Sequence, residues 1–159
     1  MAKNLGTKFE EQFERDIVKV DGITFNRIYN VSGMRKGVRN VCDFICYKYP
    51  NIFYAETKSV KGNTFPLRYL TQYEKLLQKK DIYGAIAGVI IWYYEKDRVV
   101  FCPIKSVQKI VESGAKSIHI VKHKDYLLEI PSVKKKVFMT SDYSIIFENW
   151  KRENSYESQ

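Results

Sequence analysis

The sequence predicts a single α/β domain, and three features of the chain support this prediction. Its 159 residues suit one domain with room for a sheet and several helices. Hydrophobic residues make up 45% of the chain, which indicates a packed core rather than disorder. Segments with the apolar spacing of helices are interspersed with short segments of β-type composition. We expect the domain to cover residues 1–150, with a disordered tail over 151–159.

The first part of the chain predicts a helix, an extended segment and a loop. Apolar residues recur at every fourth position from Leu5 to Ile17, which predicts a helix over 5–20. A mixed, extended pattern follows over 23–31. Residues 32–40 are basic, contain glycine and show no periodicity, so we expect a loop there.

The next segments predict a β-hairpin and a second helix. Residues 41–47 and 52–59 have the composition of strands, and Pro50 lies in the turn between them. Farther on, Pro66 fits a position just before a helix. The spacing of apolar residues predicts that this second helix covers about 70–80.

The middle of the chain predicts the buried centre of a sheet. Residues 85–94 form an almost continuous apolar run that is rich in isoleucine and aromatics, as in a central strand. We expect 99–102 to pair with it, a third helix to cover 104–112 and a short strand to cover 117–121. From Pro131 onward the pattern predicts no clear element.

The charge balance of the chain is strongly basic. There are 27 lysines and arginines against 18 aspartates and glutamates, a formal net charge of +9. A surplus of this size in a small domain favours an acidic partner, and nucleic acid is the commonest one. The alternative is a basic surface that only aids solubility.

Cysteine usage and hydropathy indicate a cytoplasmic protein. The three cysteines have no paired CxxC spacing, and with two histidines in the chain a zinc site is not expected. Reduced thiols are therefore expected. The sequence shows neither an apolar run long enough for a membrane span nor a signal-peptide core, so no membrane partner is expected.

The residues that indicate chemistry lie on the predicted hairpin. Glu56 and Lys58 are two apart on one strand, so their side chains point to the same face, and the hairpin brings Asp43 close to Glu56. Magnesium prefers such hard oxygen ligands, and the backbone carbonyl of Thr57 offers another. This pattern predicts a metal-dependent phosphodiesterase site, in which Lys58 orients water or stabilises the transition state. The alternative is an ordinary solvated face with a weak Glu–Lys ion pair.

A third carboxylate comes from the first predicted helix. On a helical wheel, Glu10 lies at the edge of the apolar stripe that contains Phe9, whereas Glu11 points away from it. Glu10 can therefore reach the edge of the sheet that carries the site. The alternative is a boundary glutamate that only hydrates the helix.

Basic residues surround the predicted site. Glycines in the loop before Asp43 let backbone amides approach phosphates closely, and phosphate contacts position DNA without reading its sequence. The alternative is a solvated, mobile loop. The candidate DNA-binding residues are Arg27, Arg35, Lys36 and Arg39, and in a second rank Lys61, Arg68 and Lys116.

The same residues resemble a known nuclease family. The spacing of Asp43, Glu56 and Lys58 resembles the core of the PD-(D/E)xK nucleases. Other segments resemble motifs of the RecU-type Holliday-junction resolvases within that superfamily. They occur in the family's order and span about residues 6–118: GTKFE at 6–10, NTFPLR at 63–68 and SGAKSI at 113–118.

This resemblance implies a fold, an activity and roles for residues. The fold is a restriction-endonuclease-like central mixed β-sheet flanked by helices. The activity is the symmetric nicking of four-way DNA junctions by a homodimer that uses Mg²⁺ or Mn²⁺, in a phage or bacterial setting. Asp43 and Glu56 are then metal ligands and Lys58 is the catalytic lysine. Glu10 is the helix carboxylate at the edge of the site, a further catalytic residue that binds the metal directly or through water.

Two departures from the family pattern bear on substrate choice. A glutamine that the family often carries near the site falls on Glu74 here. The segment that forms a projecting stalk in the family is compressed into residues 32–40. Two other hypotheses therefore stand beside the resolvase: a PD-(D/E)xK endonuclease that cuts ordinary duplex DNA, and a catalytically inactive DNA-binding protein.

Overall fold

The computed structural model describes residues 4–29 and 40–155. The helices and strands of these residues follow one another along the chain, with short 3₁₀ turns between some of them. In order they are α1 (Leu5–Ile17), β1 (Thr24–Arg27), β2 (Phe44–Lys48), β3 (Asn51–Val60), β4 (Thr64–Pro66), α2 (Tyr73–Leu77), β5 (Ala85–Tyr93), β6 (Arg98–Pro103), α3 (Ile104–Glu112), β7 (Ser117–His119), β8 (Leu128–Glu129), β9 (Ser132–Lys134), β10 (Met139–Ser141) and α4 (Ser144–Asn154).

A mixed sheet lies at the centre of the fold. Among the described residues it has six strands, in the order β1-β2-β3-β5-β6-β8. The pairing of β3 with β5 is parallel and the other pairings are antiparallel. Apolar side chains of α1 and α4 pack on one face, and those of α2 and α3 pack on the other. The predicted α/β class, with a mixed sheet flanked by helices, is therefore confirmed.

Contacts near both ends of α1 hold this helix in place. The Asn4 side chain accepts a hydrogen bond from the Thr7 N–H at 2.7 Å and so caps the helix. Phe13 is fully buried, and its ring centroid lies 4.7 Å from that of Phe44 in β2. The buried Asp16 carboxylate accepts the Ser141 N–H at 2.9 Å. These contacts hold α1 against β2 and against the distant strand β10.

The central strand β5 is buried on both faces, as its apolar composition predicts. Its Gly88 lies against β6 so closely that an added Cβ would stand 2.4 Å from the Cys102 carbonyl oxygen. Only glycine permits this approach of the two strands. Within the described residues, no helix is long and apolar enough to cross a membrane.

The second helix differs from the sequence prediction. Pro66 directly precedes a helical turn, as predicted, but this is the 3₁₀ turn Leu67–Tyr69 and not α2. Pro66 also ends the short strand β4, which pairs with β7 and buries Phe65 opposite Ile118. Helix α2 covers only Tyr73–Leu77 of the predicted 70–80.

The C-terminal part is more ordered than the sequence indicates. Helix α4 buries Ile146 and Phe147 and continues to Asn154, past the predicted start of the tail at Lys151. It does so because Trp150 packs edge-on against Tyr83, with 5.6 Å between the ring centroids. The end of the predicted tail, 156–159, lies outside the described residues.

Candidate active site

The β2–β3 hairpin brings Asp43 and Glu56 together. Phe44 pairs with Ala55, and the Asp43 N–H donates to the Ala55 carbonyl at 3.1 Å. Asp43, the residue just before β2, therefore lies beside Glu56 of β3. Lys58 lies two residues farther along β3, and its Nζ is 3.4 Å from Glu56 Oε1. The three residues singled out by their spacing thus lie side by side.

Thr57 holds the Asp43 carboxylate in place. Asp43 Oδ2 accepts the Thr57 backbone N–H at 2.9 Å and the Thr57 hydroxyl at 2.8 Å. Hydrogen bonds to a carboxylate are stronger than those between neutral groups, so this pair fixes the orientation of Asp43. Sequence reasoning missed the hydroxyl contact, because it depends on the side chain of Asp43 reaching along the neighbouring strand.

The same contact defines the direction of the Thr57 carbonyl. In an extended strand, the N–H and C=O of one residue point to the same side. Because the Thr57 N–H points to Asp43, beyond the end of β2, its carbonyl oxygen also faces that open edge of the sheet. The backbone oxygen predicted as a metal ligand therefore lies on the side of the Asp43 carboxylate.

Glu56 is a buried carboxylate with an unmet hydrogen-bonding need. It is only 1% exposed, and its Oε2 atom has no hydrogen-bond partner. Burial raises the pKa of Glu56 to about 9, and repulsion from Asp43 adds to the rise while Lys58 opposes it. An unpaired buried carboxylate is costly unless a proton or a cation neutralises it.

These groups fit a hard divalent cation. Two carboxylates and one backbone carbonyl on one edge match the small number of protein oxygens that Mg²⁺ usually takes. The unpartnered Oε2 of Glu56 is the observation that favours a cation here. Within the described residues, no three His, Cys, Asp or Glu side chains are grouped to hold a metal. Glu10 does not form such a group with Asp43 and Glu56, and its role as a metal ligand stays a prediction.

Glu10 lies near the site but is bound to an arginine. Arg27 Nη2 donates to Glu10 Oε2 at 2.7 Å, and Arg27 Nη1 lies 3.3 Å from Glu14 Oε2. Partial burial raises the pKa of Glu10, repulsion from Asp43 adds to the rise, and Arg27 and Lys58 oppose it. Glu10 thus interacts electrostatically with the site from its edge, as the helical wheel indicates.

Arg27, a predicted DNA contact, is engaged by acidic and aromatic residues of the protein itself. Its side chain is 19% exposed, and its guanidinium pairs with Glu10 and Glu14 of α1. The guanidinium also lies over the rings of Tyr29 and Phe44, at 5.2 and 5.8 Å. The charge of Arg27 is therefore already neutralised within the protein. The spacing of Glu10 and Glu14, one helical turn apart, was the available sequence signal for this clamp.

The other predicted DNA-binding residues have different surroundings. Arg35, Lys36 and Arg39 lie outside the described residues. Lys61 is exposed and pairs loosely with Glu95, at 3.8 Å.

Arg68 and Lys116 lie at the same end of the β4–β7 ribbon, just beyond its last pair, Pro66 and Ser117. The Arg68 guanidinium stacks on Tyr69, with 4.7 Å to the ring centroid. Both residues are exposed, and the Lys116 carbonyl accepts the Leu67 N–H at 3.0 Å. These two predicted DNA contacts are therefore both open to solvent at the same end of the ribbon.

The fold of this chain resembles that of proteins of known structure. No protein-family model and no curated protein sequence matches the chain. Among solved structures, the chain is similar to Hjc, a Holliday junction resolvase from the archaeal hyperthermophile Archaeoglobus fulgidus, with a TM-score of 0.57. Sequence identity is 20%, and the match covers 78% of this chain and 95% of that chain. The likeness confirms the predicted restriction-endonuclease-like fold.

The raised pKa of Glu56 predicts a pH-dependent gain in stability on its substitution. Because the folded-state pKa rises from 4.5 to about 9, the contribution of Glu56 to stability is present below pH 4.5 and is lost as the pH rises toward 9. In EDTA, we expect Glu56→Gln to melt higher than the unsubstituted chain at pH 8, and the difference to shrink at pH 5. Scanning calorimetry measures this, with about 2–4 °C for each kcal/mol gained.

The exposed Glu112 provides the control. Glu112→Gln should melt like the unsubstituted chain at both pH values. A gain for Glu56→Gln that is equal at pH 5 and pH 8 would contradict the raised pKa.

Proposed function

We propose that the chain is a metal-dependent endonuclease of the RecU-like resolvase type, which cuts four-way DNA junctions as a homodimer with Mg²⁺ or Mn²⁺. The observation that carries the proposal is the buried, unpartnered carboxylate oxygen of Glu56 beside Asp43 and Lys58. The likeness of the fold to a protein named as a Holliday junction resolvase supports the choice of substrate. The basic charge of the chain supports a DNA partner.

Asp43, Glu56 and the Thr57 carbonyl are the groups that would hold the metal ion. A bound Mg²⁺ lowers the pKa of water and neutralises the charge that builds up on the phosphate. Thr57 contributes in two ways, since its hydroxyl and N–H also orient Asp43. Contacts of this kind to a metal ligand usually change metal affinity by about 10- to 100-fold.

Lys58 is the cation that remains at the site for the substrate. Its stem runs beside Glu56, and its side chain is partly exposed at the edge of the sheet. It donates to a phosphate oxygen and so stabilises the negative charge that develops there during hydrolysis. Glu10, held by Arg27, keeps a carboxylate at the other side of the approach to the site. The ion pairs of Arg27 with Glu10 and Glu14 thus fix the position of the Glu10 carboxylate at the edge of the site.

The basic side chains of the β4–β7 ribbon offer a path for DNA. Arg68 and Lys116 are exposed there, and the ribbon follows directly after strand β3 of the site. Contacts from such residues to phosphates position DNA without reading its sequence, which suits an enzyme that selects a branched shape.

An exposed apolar patch supports the homodimer. Tyr47 and Ile52 face each other across the hairpin, and the Ile52 N–H donates to the Gly84 carbonyl at 3.0 Å. The hairpin tip therefore adjoins the segment that contains Ile82 and Tyr83. We name these exposed side chains the end patch: Tyr47 (48% exposed), Tyr49 (80%), Ile52 (40%), Ile82 (52%) and Tyr83 (78%).

The end patch has the properties of a protein interface. Contiguous exposed apolar residues rich in aromatics mark such surfaces. A cavity of about 440 Å³, lined in part by Ile82, Tyr83 and Trp150, opens beside the patch. Ile52 precedes Glu56 by four residues of β3, so the patch lies about 13 Å along the strand from the site. Dimerisation through it would leave both sites open to DNA.

Junction cleavage tests the proposed activity. We expect the purified protein to make paired, symmetric nicks in a labelled synthetic four-way junction, with Mg²⁺ or Mn²⁺ and not in EDTA. A matched linear duplex should be cut much more slowly. Glu56→Gln should lower the rate by at least about 100-fold, because it removes a charge that holds the cation.

Glu112→Gln, which changes a distant exposed carboxylate, should cut at the normal rate. Equal cutting of junction and duplex would reject junction selectivity and keep the nuclease. Tight DNA binding without cleavage under any divalent metal would reject the nuclease.

The oligomeric state tests the end patch. We expect sedimentation equilibrium to give a dimer at micromolar concentration, and a monomer for the double variant Tyr49→Ser, Ile82→Ser, which leaves the contact of Tyr83 with Trp150 in place. Val133→Ser, which removes an apolar side chain 62% exposed on β9, is the control and should remain a dimer. A monomeric unsubstituted chain, or a dimeric double variant, would remove the end patch as the interface.

A further inference from the structure

The turn after β7 contains two histidines whose Nδ1 atoms both accept backbone hydrogen bonds. The N–H groups of Val121 and Lys122 donate to His119 Nδ1 at 3.0 and 3.2 Å. The His119 N–H donates to His123 Nδ1 at 2.8 Å. A ring nitrogen that accepts an N–H carries no proton, so each neutral ring has its proton on Nε2. The backbone thus selects one tautomer of both histidines.

The two Nε2–H groups remain available for a ligand. Both side chains are partly exposed, and the hydrogen bonds that hold the two rings in the described part of the chain use Nδ1 and leave Nε2 for other contacts. Burial, with smaller effects from His119 and Lys122, lowers the pKa of His123 and so favours the neutral ring. The turn therefore presents two N–H donors that the backbone has already oriented.

The surroundings of the two rings are basic. Residues 115–124 contain Lys116, Lys122 and Lys124 and no carboxylate, and Asp125 is the acidic residue that follows. Lys122 and Lys124, which flank His123, are both exposed. Fixed N–H donors with nearby ammonium groups suit a phosphate group, which offers several acceptor oxygens and negative charge.

The turn lies within reach of DNA bound at the site. His119 pairs with Thr64 in the β4–β7 ribbon, and the Ile120 N–H donates to the Asn63 carbonyl at 2.9 Å. Asn63 follows Lys58 by five residues, so the two are separated by at most about 18 Å of extended chain. At a rise of about 3.4 Å per nucleotide, this span corresponds to about five nucleotides of one strand.

We propose that residues 119–124, which we name the histidine turn, form a second phosphate-binding site outside the active site. The Nε2–H groups of His119 and His123 donate to phosphate oxygens, and Lys122 supplies positive charge. The identification of the ligand as a phosphate of the DNA backbone rests on the proposed function. Free inorganic phosphate offers the same chemistry and is the alternative source.

The first experiment observes the rings directly in the unsubstituted protein. Long-range proton–nitrogen correlation spectra should show both histidines as the Nε2–H tautomer at pH 7.5 in EDTA. Addition of inorganic phosphate, or of a four-way junction in a separate sample, should shift the Nε2 signals. A mixture of tautomers, or unchanged ring signals when DNA binding is saturated, would overturn the proposal.

The second experiment uses variants that preserve the turn. In His119→Asn and His123→Asn, the amide oxygen can take the place of Nδ1 as acceptor while the Nε2–H donor is lost. The double variant should bind the junction roughly tenfold more weakly in EDTA by fluorescence anisotropy, because it loses hydrogen bonds to a charged group. Its salt dependence should be unchanged, because neutral donors release no counterions.

Lys122→Gln separates charge from hydrogen bonding in the same turn. It should lower the slope of log affinity against log salt by about 0.9, as expected for one lost phosphate contact. Lys151→Gln, an exposed lysine in α4, is the control and should leave the slope unchanged. Normal junction affinity in the double histidine variant would overturn the assignment to DNA.

The outcomes also separate this proposal from the proposed function. If the protein binds no DNA but inorganic phosphate shifts the Nε2 signals, the histidine turn stands as a phosphate site and the proposed function fails. If the junction is bound and cut but the rings do not respond, the proposed function stands and the histidine turn is rejected.

Discussion

The parallel pairing of β3 with β5 is the constraint on which the site depends. It places β3 in the interior of the sheet, with β2 on its other side, so that the middle of β3 has a neighbouring strand on both edges. The apolar clusters of the helices cover the faces of the sheet. Glu56 lies opposite the fully buried Val89 and is itself almost inaccessible. A carboxylate at such a position loses its hydration, and Lys58 at 3.4 Å compensates for that loss only in part. The fold thus keeps a carboxylate in a state that a proton or a divalent cation relieves.

The groups around Glu56 are held by contacts that do not involve it. Thr57 orients Asp43 with two hydrogen bonds, and Arg27 holds Glu10 against the edge of the site. Helix α1 is in turn fixed by the packing of Phe13 on Phe44 and by the buried Asp16 carboxylate. The carboxylates therefore keep their positions despite their mutual repulsion, which is the preorganisation that electrostatic catalysis requires.

The parts of the structure that the sequence predicts correctly depend on patterns among residues that are close together in the chain. The apolar run of β5 and the Asp43–Glu56–Lys58 spacing follow from strand periodicity and from a tight hairpin. Helix α3 is observed over the predicted 104–112. These features need no knowledge of distant contacts.

The features that escaped prediction depend on long-range contacts. Pro66 lies in a strand because of β7, about fifty residues later, and α4 continues to Asn154 because Trp150 meets Tyr83. Arg27 looked like a free cation until α1 supplied Glu10 and Glu14 as partners. The roles of the site residues, the metal, the dimer and the resemblance to RecU stay predictions.

Proton release on cation binding tests whether burial keeps Glu56 protonated in the folded chain. If burial keeps Glu56 protonated, binding of Mn²⁺ or Mg²⁺ must displace that proton, because metal ligands bind in their deprotonated form. Isothermal titration calorimetry at pH 7.5, in buffers of different ionisation enthalpy, counts the protons released. We expect the release of about one proton by the unsubstituted chain and none by Glu56→Gln, which should also bind the cation more weakly. Cation binding without proton release, or equal binding by both proteins, would contradict this expectation.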